Sequence, residues 1–328
     1  MARKCMQGFV RHFVTGVFSL FMAGLAAAQA WPAKPIRIVV PFPPGDSGDV
    51  LSRLIAPRLA ERLGQPVIVE NRPGAAGTIG MEYIAKSAPD GYTIGAGQNG
   101  TLAVIPNTRK QVNYNPLKDF EFIAAASAGY MGIVASPNAP FNTFPEMVAW
   151  ARANPGKLTV ASNGDGGFPH LNFEQIRLSS NFTFTHVPFA GGGGPILTAV
   201  AGGQVMAAVG ATGSQAGLIR GGKIRLIAVT SPKRLPSFPD VPTVSETLPG
   251  FEASGWFGFV APAGVPRPII VRLNEEINRA LNLPEVRERL MTTGLDVGSF
   301  PPEFWAEHIR SEHAKYARVV KAIGFQPE

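Results

Sequence analysis

Short β-branched runs alternate with amphipathic helical segments along this chain, and glycine, proline and asparagine fill the junctions between them. That alternation admits few folds. A strand that returns parallel to its predecessor needs a crossover of helical length, so the chain is expected to be α/β with mixed, mostly parallel sheets. Ile36 to Val40 reads as a strand, after which Leu51, Leu54, Ile55, Leu59 and Leu63 recur at a helical period until Gly64 stops the helix. Val67 to Glu70 is the next strand. Asn71-Arg72-Pro73-Gly74 turns the chain, a helix is predicted from about Gly77 to Lys86, and Pro89-Asp90-Gly91 precedes a strand at Tyr92 to Ala96.

The pattern restarts after Pro145, a favoured first-turn residue for the helix that ends at Asn154-Pro155-Gly156. Leu158 to Ser162, Phe184 to Val187, Val205 to Val209 and Ile224 to Val229 are the strands of this second set. Two lobes follow from the restart. Gly132 to Ala135 and Trp256 to Val260 are read as the two crossings between them, which makes lobe one discontinuous (residues 31–131 and 256–328) and lobe two residues 132–255. Helices near Pro268 to Leu281, Pro284 to Thr292 and Pro301 to Ala322 complete lobe one.

Residues 1–30 stand apart as an expected signal peptide. Arg3, Lys4 and Arg11 precede the apolar stretch Phe13 to Ala28, and Ala28-Gln29-Ala30 has the small-x-small form of a cleavage site, so Trp31 is the expected first residue of an exported, periplasmic protein. The whole chain carries a formal charge of +7; the leader holds three of the basic residues and no acid, which leaves +4. Cys5, the only cysteine, leaves with it. The exported chain therefore has no disulfide, thiol nucleophile or thiolate metal site. Its Lys and Arg are scattered and form no aromatic-basic motif, which argues against nucleic acid as a partner.

In open α/β sheets ligands sit beyond the carboxyl ends of the strands, where helix N-termini present free N–H groups. The candidate loops are Pro41 to Gly48, Asn71 to Gly77 and Gly97 to Gly100 in lobe one, and Asn163 to Pro169, Pro188 to Gly194 and Gly210 to Ser214 in lobe two. Gly74-Ala75-Ala76-Gly77-Thr78-Ile79-Gly80 is G-x-x-G-x-x-G, not the dinucleotide spacing, and no Gly-Lys-Ser/Thr phosphate loop occurs, so no cofactor is expected. His308 and His313 stand five apart on a polar helix and do not share a face, which reads as solvated side chains and not as a metal pair. No serine occupies a G-x-S-x-G elbow and no paired carboxylates stand out, so neither a catalytic nor a metal residue is assigned.

The ordered motifs Trp31-Pro32-x-Lys34-Pro35-Ile36-Arg37, Pro41-Phe42-Pro43-Pro44-Gly45, Glu70-Asn71-Arg72-Pro73-Gly74, Pro89-Asp90-Gly91-Tyr92-Thr93, His186-Val187-Pro188-Phe189, Gly202-Gly203-Gln204-Val205, Asp240-Val241-Pro242-Thr243 and Pro249-Gly250-Phe251-Glu252 resemble the Bug family of periplasmic solute receptors, the binding components of tripartite tricarboxylate transporters. The resemblance runs from Trp31 to the C-terminus. It implies a two-lobe periplasmic binding protein of the Venus flytrap type that closes on a small organic carboxylate; a monomer is expected, and Asp46 and Asp165 make an amino-acid-like ligand the other expectation. Delivery to membrane transporter subunits is the expected role; presentation to a sensor, or an enzyme acting on a small carboxylate, are the alternatives. It further implies that backbone N–H groups and ordered water from the first two lobe-one loops hold the ligand carboxylate, while the lobe-two loops choose the rest of the ligand. By transfer, Phe42, Pro44, Gly45, Ser47, Asp49, Gly77 and Thr78 are the lobe-one contacts, and Ser162, Gly164, His170, Phe189, Gly191 and Ala211 the lobe-two contacts.

Departures from the family pattern sharpen that expectation. Asp46 stands where relatives usually have glycine, Gly167 where they have serine, Phe189 where they have tyrosine, and Met206 where an acid is frequent; Asp165 adds another carboxylate. Asp46 and Asp165 are therefore added to the candidate contacts. A carboxylate beside a bound anion is costly in a low-dielectric cleft. The expected ligand then carries an amine or another donor, or less negative charge than a di- or tricarboxylate, unless both acids face solvent.

Overall fold

The computed structural model describes residues 31–189, 193–292 and 295–327. The expected leader (residues 1–30) and the candidate contact Gly191 lie outside them. In chain order the first elements are β1 (Ile36–Val40), α1 (Ser47–Leu63), β2 (Val67–Asn71), α2 (Thr78–Ala85), β3 (Thr93–Gln98), α3 (Ile105–Thr108) and the long β4 (Phe120–Ala135). Then come α4 (Phe144–Ala153), β5 (Thr159–Ser162), α5 (Phe168–Ser180), β6 (Thr185–Pro188), α6 (Gly193–Ala201), β7 (Ala207–Ala211), α7 (Thr212–Arg220) and β8 (Arg225–Val229). The chain closes with β9 (Ser254–Pro262), α8 (Arg267–Leu281), α9 (Pro284–Thr292), β10 (Leu295–Val297) and α10 (Pro302–Ala322).

Local chemistry sets these boundaries. The Asp46 side chain caps α1, and Gly64 ends it in the left-handed region (φ 69°) with its N–H on the Ala60 carbonyl. Thr143 caps α4 by accepting the Glu146 N–H, with Pro145 in the first turn as the sequence indicates. Strands β1, β2, β5, β6, β7 and β8 fall within two residues of their sequence-read positions. The first twelve residues of β4 and all of β10 do not appear in that reading.

The strand order is β2-β1-β3-β9-β4-β7-β5-β6, with β8 and β10 also paired to β4. Pairs at the flanks are parallel: β1 with β2 and β3, and β5 with β6 and β7. Those made by β4 and β9 are antiparallel, so the sheet is more mixed than the alternation alone implies. From Phe120 to Tyr130, β4 pairs with β9; from Met131 to Ala135 it pairs with β7 and β8. Gly132 to Ala135 is thus the far end of one crossing. The return crossing enters β9 at Ser254, and Trp256 to Val260 lies within the β3 and β4 ladders.

Each half has its own core. Around the first half Ile38, Leu51, Ile55 and Leu59 meet Phe259, Leu273 and Ile277, while Val39, Met81 and Ile84 on the other face meet Trp305 and Ile309. In the second, Ile133 and Val209 pack with Phe144, Met147, Phe173 and Ile176, and Val134, Ala161 and Ala208 pack with Ile196 and Val200. Burying each Leu- or Phe-sized side chain stabilises the fold by about 1.5–3 kcal/mol. Trp305, fully buried, lies directly over Gly258 of β9.

His308 is not solvated as its polar helix suggests. Its ring stacks on Trp305 and Phe304 and tilts against Trp256, and its Nε2 is buried without a partner. Burial, reinforced by the Lys315 charge, pushes its pKa down to about 4.

Two outcomes test this packing. A Cβ at Gly258 would sit 2.4 Å from the Ala124 carbonyl and 2.7 Å from Trp305, so Gly258→Ala is expected to cost about 2–3 kcal/mol in chemical denaturation. Gly217→Ala, in open space on α7, is expected to gain about 0.5–1 kcal/mol; equal effects would refute the contrast. A neutral His308 stabilises the fold at and above its unfolded pKa of 6.5, and that contribution disappears as pH falls toward about 4. Melting temperature should decline over this window by the equivalent of about 2 kcal/mol, and His308→Leu should remove that part of the decline.

Candidate functional site

A cavity of about 450 Å³ opens where β4 changes partners. The loops after β1 (Phe42, Asp46, Ser47), β3 (Gln98, Asn99, Gly100), β5 (Asn163, Phe168) and β7 (Ala211, Ser214) all reach it. Each leaves the carboxyl end of a parallel strand, the position expected for a ligand site in such sheets. Tyr130 and Met131 of β4 and Trp256 and Phe257 of β9 form the floor between them.

The β1–α1 loop is held from beneath. Asp49, 3% exposed, receives the Gly45 N–H (2.9 Å), Arg53 Nε on both oxygens (3.0 Å each) and Asn71 Nδ2 (2.9 Å). Asn71 Nδ2 also donates to the Phe42 carbonyl at 3.0 Å, and Arg53 donates to Asn71 Oδ1 at 2.8 Å. Burial raises the Asp49 pKa, but the hydrogen bonds from Arg53, Gly45 and Asn71 outweigh it and hold the carboxyl below its ordinary value. Phe42 is positioned from the other side by Gly77, where a Cβ would come 2.9 Å from the ring and 2.7 Å from Thr101. Gly77 has φ 93°, which only glycine adopts easily.

Asp46 differs from Asp49 in what it faces. Its Oδ1 accepts the Gly48 N–H at 2.9 Å and the side chain borders the cavity. Burial raises its pKa, opposed by the N–H groups of Gly48 and Ser47, and the Asp49 charge raises it further. Among the described residues lining the cavity, Asp46 is the only one with a charged side chain. Tyr130 has its pKa raised by burial and then by the charges of Asp296 and Glu252.

The sequence-read contacts therefore divide. Phe42, Asp46, Ser47 and Ala211 line the cavity. Pro44 and Gly45 sit exposed at the loop tip, Asp49 is consumed by the clasp, and Gly77 acts through Phe42. Thr78 donates to the Ala75 carbonyl and borders a separate concavity with Arg109 and Lys110. Phe189 is half-buried against the core of the second half, with its N–H on the Ser162 carbonyl.

Ser162, Gly164, Asp165 and His170 join His186 in a cluster under the β5–α5 loop. Ser162 Oγ lies 2.7 Å from His186 Nε2, and His186 Nδ1 lies 2.9 Å from Asp165. That order is the one found in serine hydrolase triads. Here, however, Ser162 is 2% exposed, and its Oγ is also engaged with the Gly164 carbonyl and N–H. It presents no nucleophile to the cavity. His170 and His186 stack at 3.8 Å with planes 3° apart, and burial, then the neighbouring His170, lowers the His186 pKa. Ligand atoms of Asp165, His170 and His186 lie within 4.8 Å of one another. In-plane lone pairs of two parallel rings do not converge on one ion, and His170 Nδ1 already accepts the Gly166 N–H. The cluster buttresses the loop that carries Asn163 to the cavity.

Sequence reasoning named the loops of Gln98 to Gly100, Asn163 and Ser214 but not these residues individually. Tyr130, Met131, Trp256 and Phe257 escaped it because they come from strands and not from strand-end loops.

Residues 51–325 match the model of the tripartite tricarboxylate transporter family receptor. Protein BugT of Bordetella pertussis is 36% identical over 316 residues, covering 95% of this chain and 96% of BugT. A Rhodopseudomonas palustris protein solved with adipate superposes with a TM-score of 0.79 at 31% identity, over 91% of this chain and 100% of that one. MatC from Rhodopseudomonas palustris with bound malate superposes with a TM-score of 0.75 at 32% identity, over 88% and 100%. The extent of these matches, together with the two-lobe α/β fold, means that the chain belongs to the family of tripartite tricarboxylate transporter receptors, the Bug-type solute-binding proteins that its motifs resemble.

Proposed function

We propose that this chain is an exported, monomeric receptor that captures a small organic carboxylate in the cavity between its two halves and presents it to the membrane subunits of a tripartite tricarboxylate-type transporter. The observation that carries this reading is the convergence of four strand-end loops, two from each half, on one cavity of about 450 Å³. That volume suits a small ligand. The bound adipate and malate of the two structural relatives support an acid as its class.

The ligand carboxylate is assigned to the second half. Helices α5 and α7 begin at the cavity without a side-chain cap, whereas the N-terminus of α1 already holds Asp46. Backbone N–H groups from those loops, with water, hold the acid. Residues 31–131 with 256–328, and residues 132–255, are the proposed rigid bodies, closing about β4 and the return into β9. Export rests on the N-terminal pattern, with cleavage after Ala30. Ser162, the serine hydrogen-bonded to His186, does not line the cavity, which favours a receptor over an enzyme.

Purified protein should be screened by melting temperature against mono- and dicarboxylates, amino acids and aromatic acids. The true ligand is expected to stabilise the fold by about 2.7 kcal/mol at a hundredfold excess over Kd and to reduce the radius of gyration in solution scattering. Conversion of the ligand to product during incubation would overturn the receptor reading.

A further inference from the structure

We propose that the ligand carries a cationic nitrogen which docks against Asp46, so that this receptor takes an amino acid with an apolar body in preference to a dicarboxylate. This rests on the receptor reading above and adds the ligand's second charge. Asp46 is the one charged side chain among the described residues that line the cavity. It is partly buried there, and one of its oxygens is already committed to the Gly48 N–H. The α1 N-terminus is thereby neutralised by the protein's own carboxylate, and a ligand carboxylate brought to the same place would meet like charge instead of free N–H groups.

Among the described residues, no basic side chain lines the cavity beside Asp46. The basic side chain closest along the chain, Arg53, is turned to Asp49 and Asn71. Asp165, the other acid added by the sequence, faces His186 and does not line the cavity. The charge that pairs with Asp46 therefore comes with the ligand. The walls suit such a partner: Phe42, Tyr130, Trp256 and Phe257 supply aromatic surface, which is attractive to a cation and to methylene or ring carbons alike.

Matched pairs of probes isolate the nitrogen. Adipate and ε-aminocaproate share a chain length and differ at one end; phenylpropanoate and phenylalanine differ only by the ammonium group. Calorimetric titration of the wild-type protein is expected to give, in at least one pair, about tenfold or more tighter binding of the amine, the scale of one charge-assisted hydrogen bond. Asp46→Asn keeps the helix cap and removes the charge, and should reduce that ratio by about tenfold. Binding of adipate or phenylpropanoate as tightly as its amine partner, with a ratio unmoved by Asp46→Asn, overturns the proposal while leaving the receptor reading intact. Failure of both amines to bind at millimolar concentration also overturns it.

Discussion

β4 belongs to two sheets at once, and the geometry of the molecule follows from how its backbone is shared. Its ladder to β9 ends at the Tyr130–Ser254 pair, and its ladder to β7 begins at the Met131–Ala211 pair, so one peptide step separates the two halves. Thr230 manages the change of partner. Its hydroxyl takes the Met131 N–H and donates to the Ala253 carbonyl, tying β4 to the return segment just before β9. Backbone groups at a break in a sheet would otherwise be buried and unpaired. The break is also where the floor of the cavity lies, since Tyr130 and Met131 both line it.

Two acids three residues apart divide the work of the first loop. Asp49 has every oxygen engaged and stabilises the loop conformation; Asp46 spends one oxygen on a cap and keeps its carboxylate at the cavity. The prolines at 41, 43 and 44 fix φ angles, yet they set the loop's direction only because Asn71, on the Phe42 carbonyl, and Asp49, on the Gly45 N–H, hold it to β2 and α1. The Glu70-Asn71-Arg72 motif thus serves the cavity indirectly: Asn71 bonds to the carbonyl of Phe42, whose ring lines it.

Much of the fold could be read in advance because its signals are local. Short apolar runs and helical spacing located the flanking strands and helices, and Gly64 and Pro145 acted as the stop and start they are elsewhere. β4 resisted reading because Ala124-Ala125-Ala126-Ser127-Ala128-Gly129 has neither β-branched residues nor alternation; small side chains are needed where β9 and β10 and the helices α8 and α10 crowd it. The candidate site was legible as a set of loops but not as a set of side chains. Asp46 and Asp49 are indistinguishable by composition, and only the helix phase turns one toward the cavity and the other toward Arg53. His170 and His186 lie sixteen positions apart in sequence on different elements, and nothing local announces that their rings stack.

A third connection between the halves constrains how they can move. Helix α10, which covers the first half, also reaches α5 of the second: the Tyr316 hydroxyl donates to Asn172 Oδ1 at 2.8 Å, and its ring lies against Phe168, which lines the cavity. Tyr316 is fully buried, and burial followed by the Glu312 charge pushes its pKa well above the ordinary phenol value, so the hydroxyl remains a donor. A buried hydrogen bond that is broken without replacement costs about 1–3 kcal/mol. Closing motions that keep it are therefore favoured over those that pull α10 from α5.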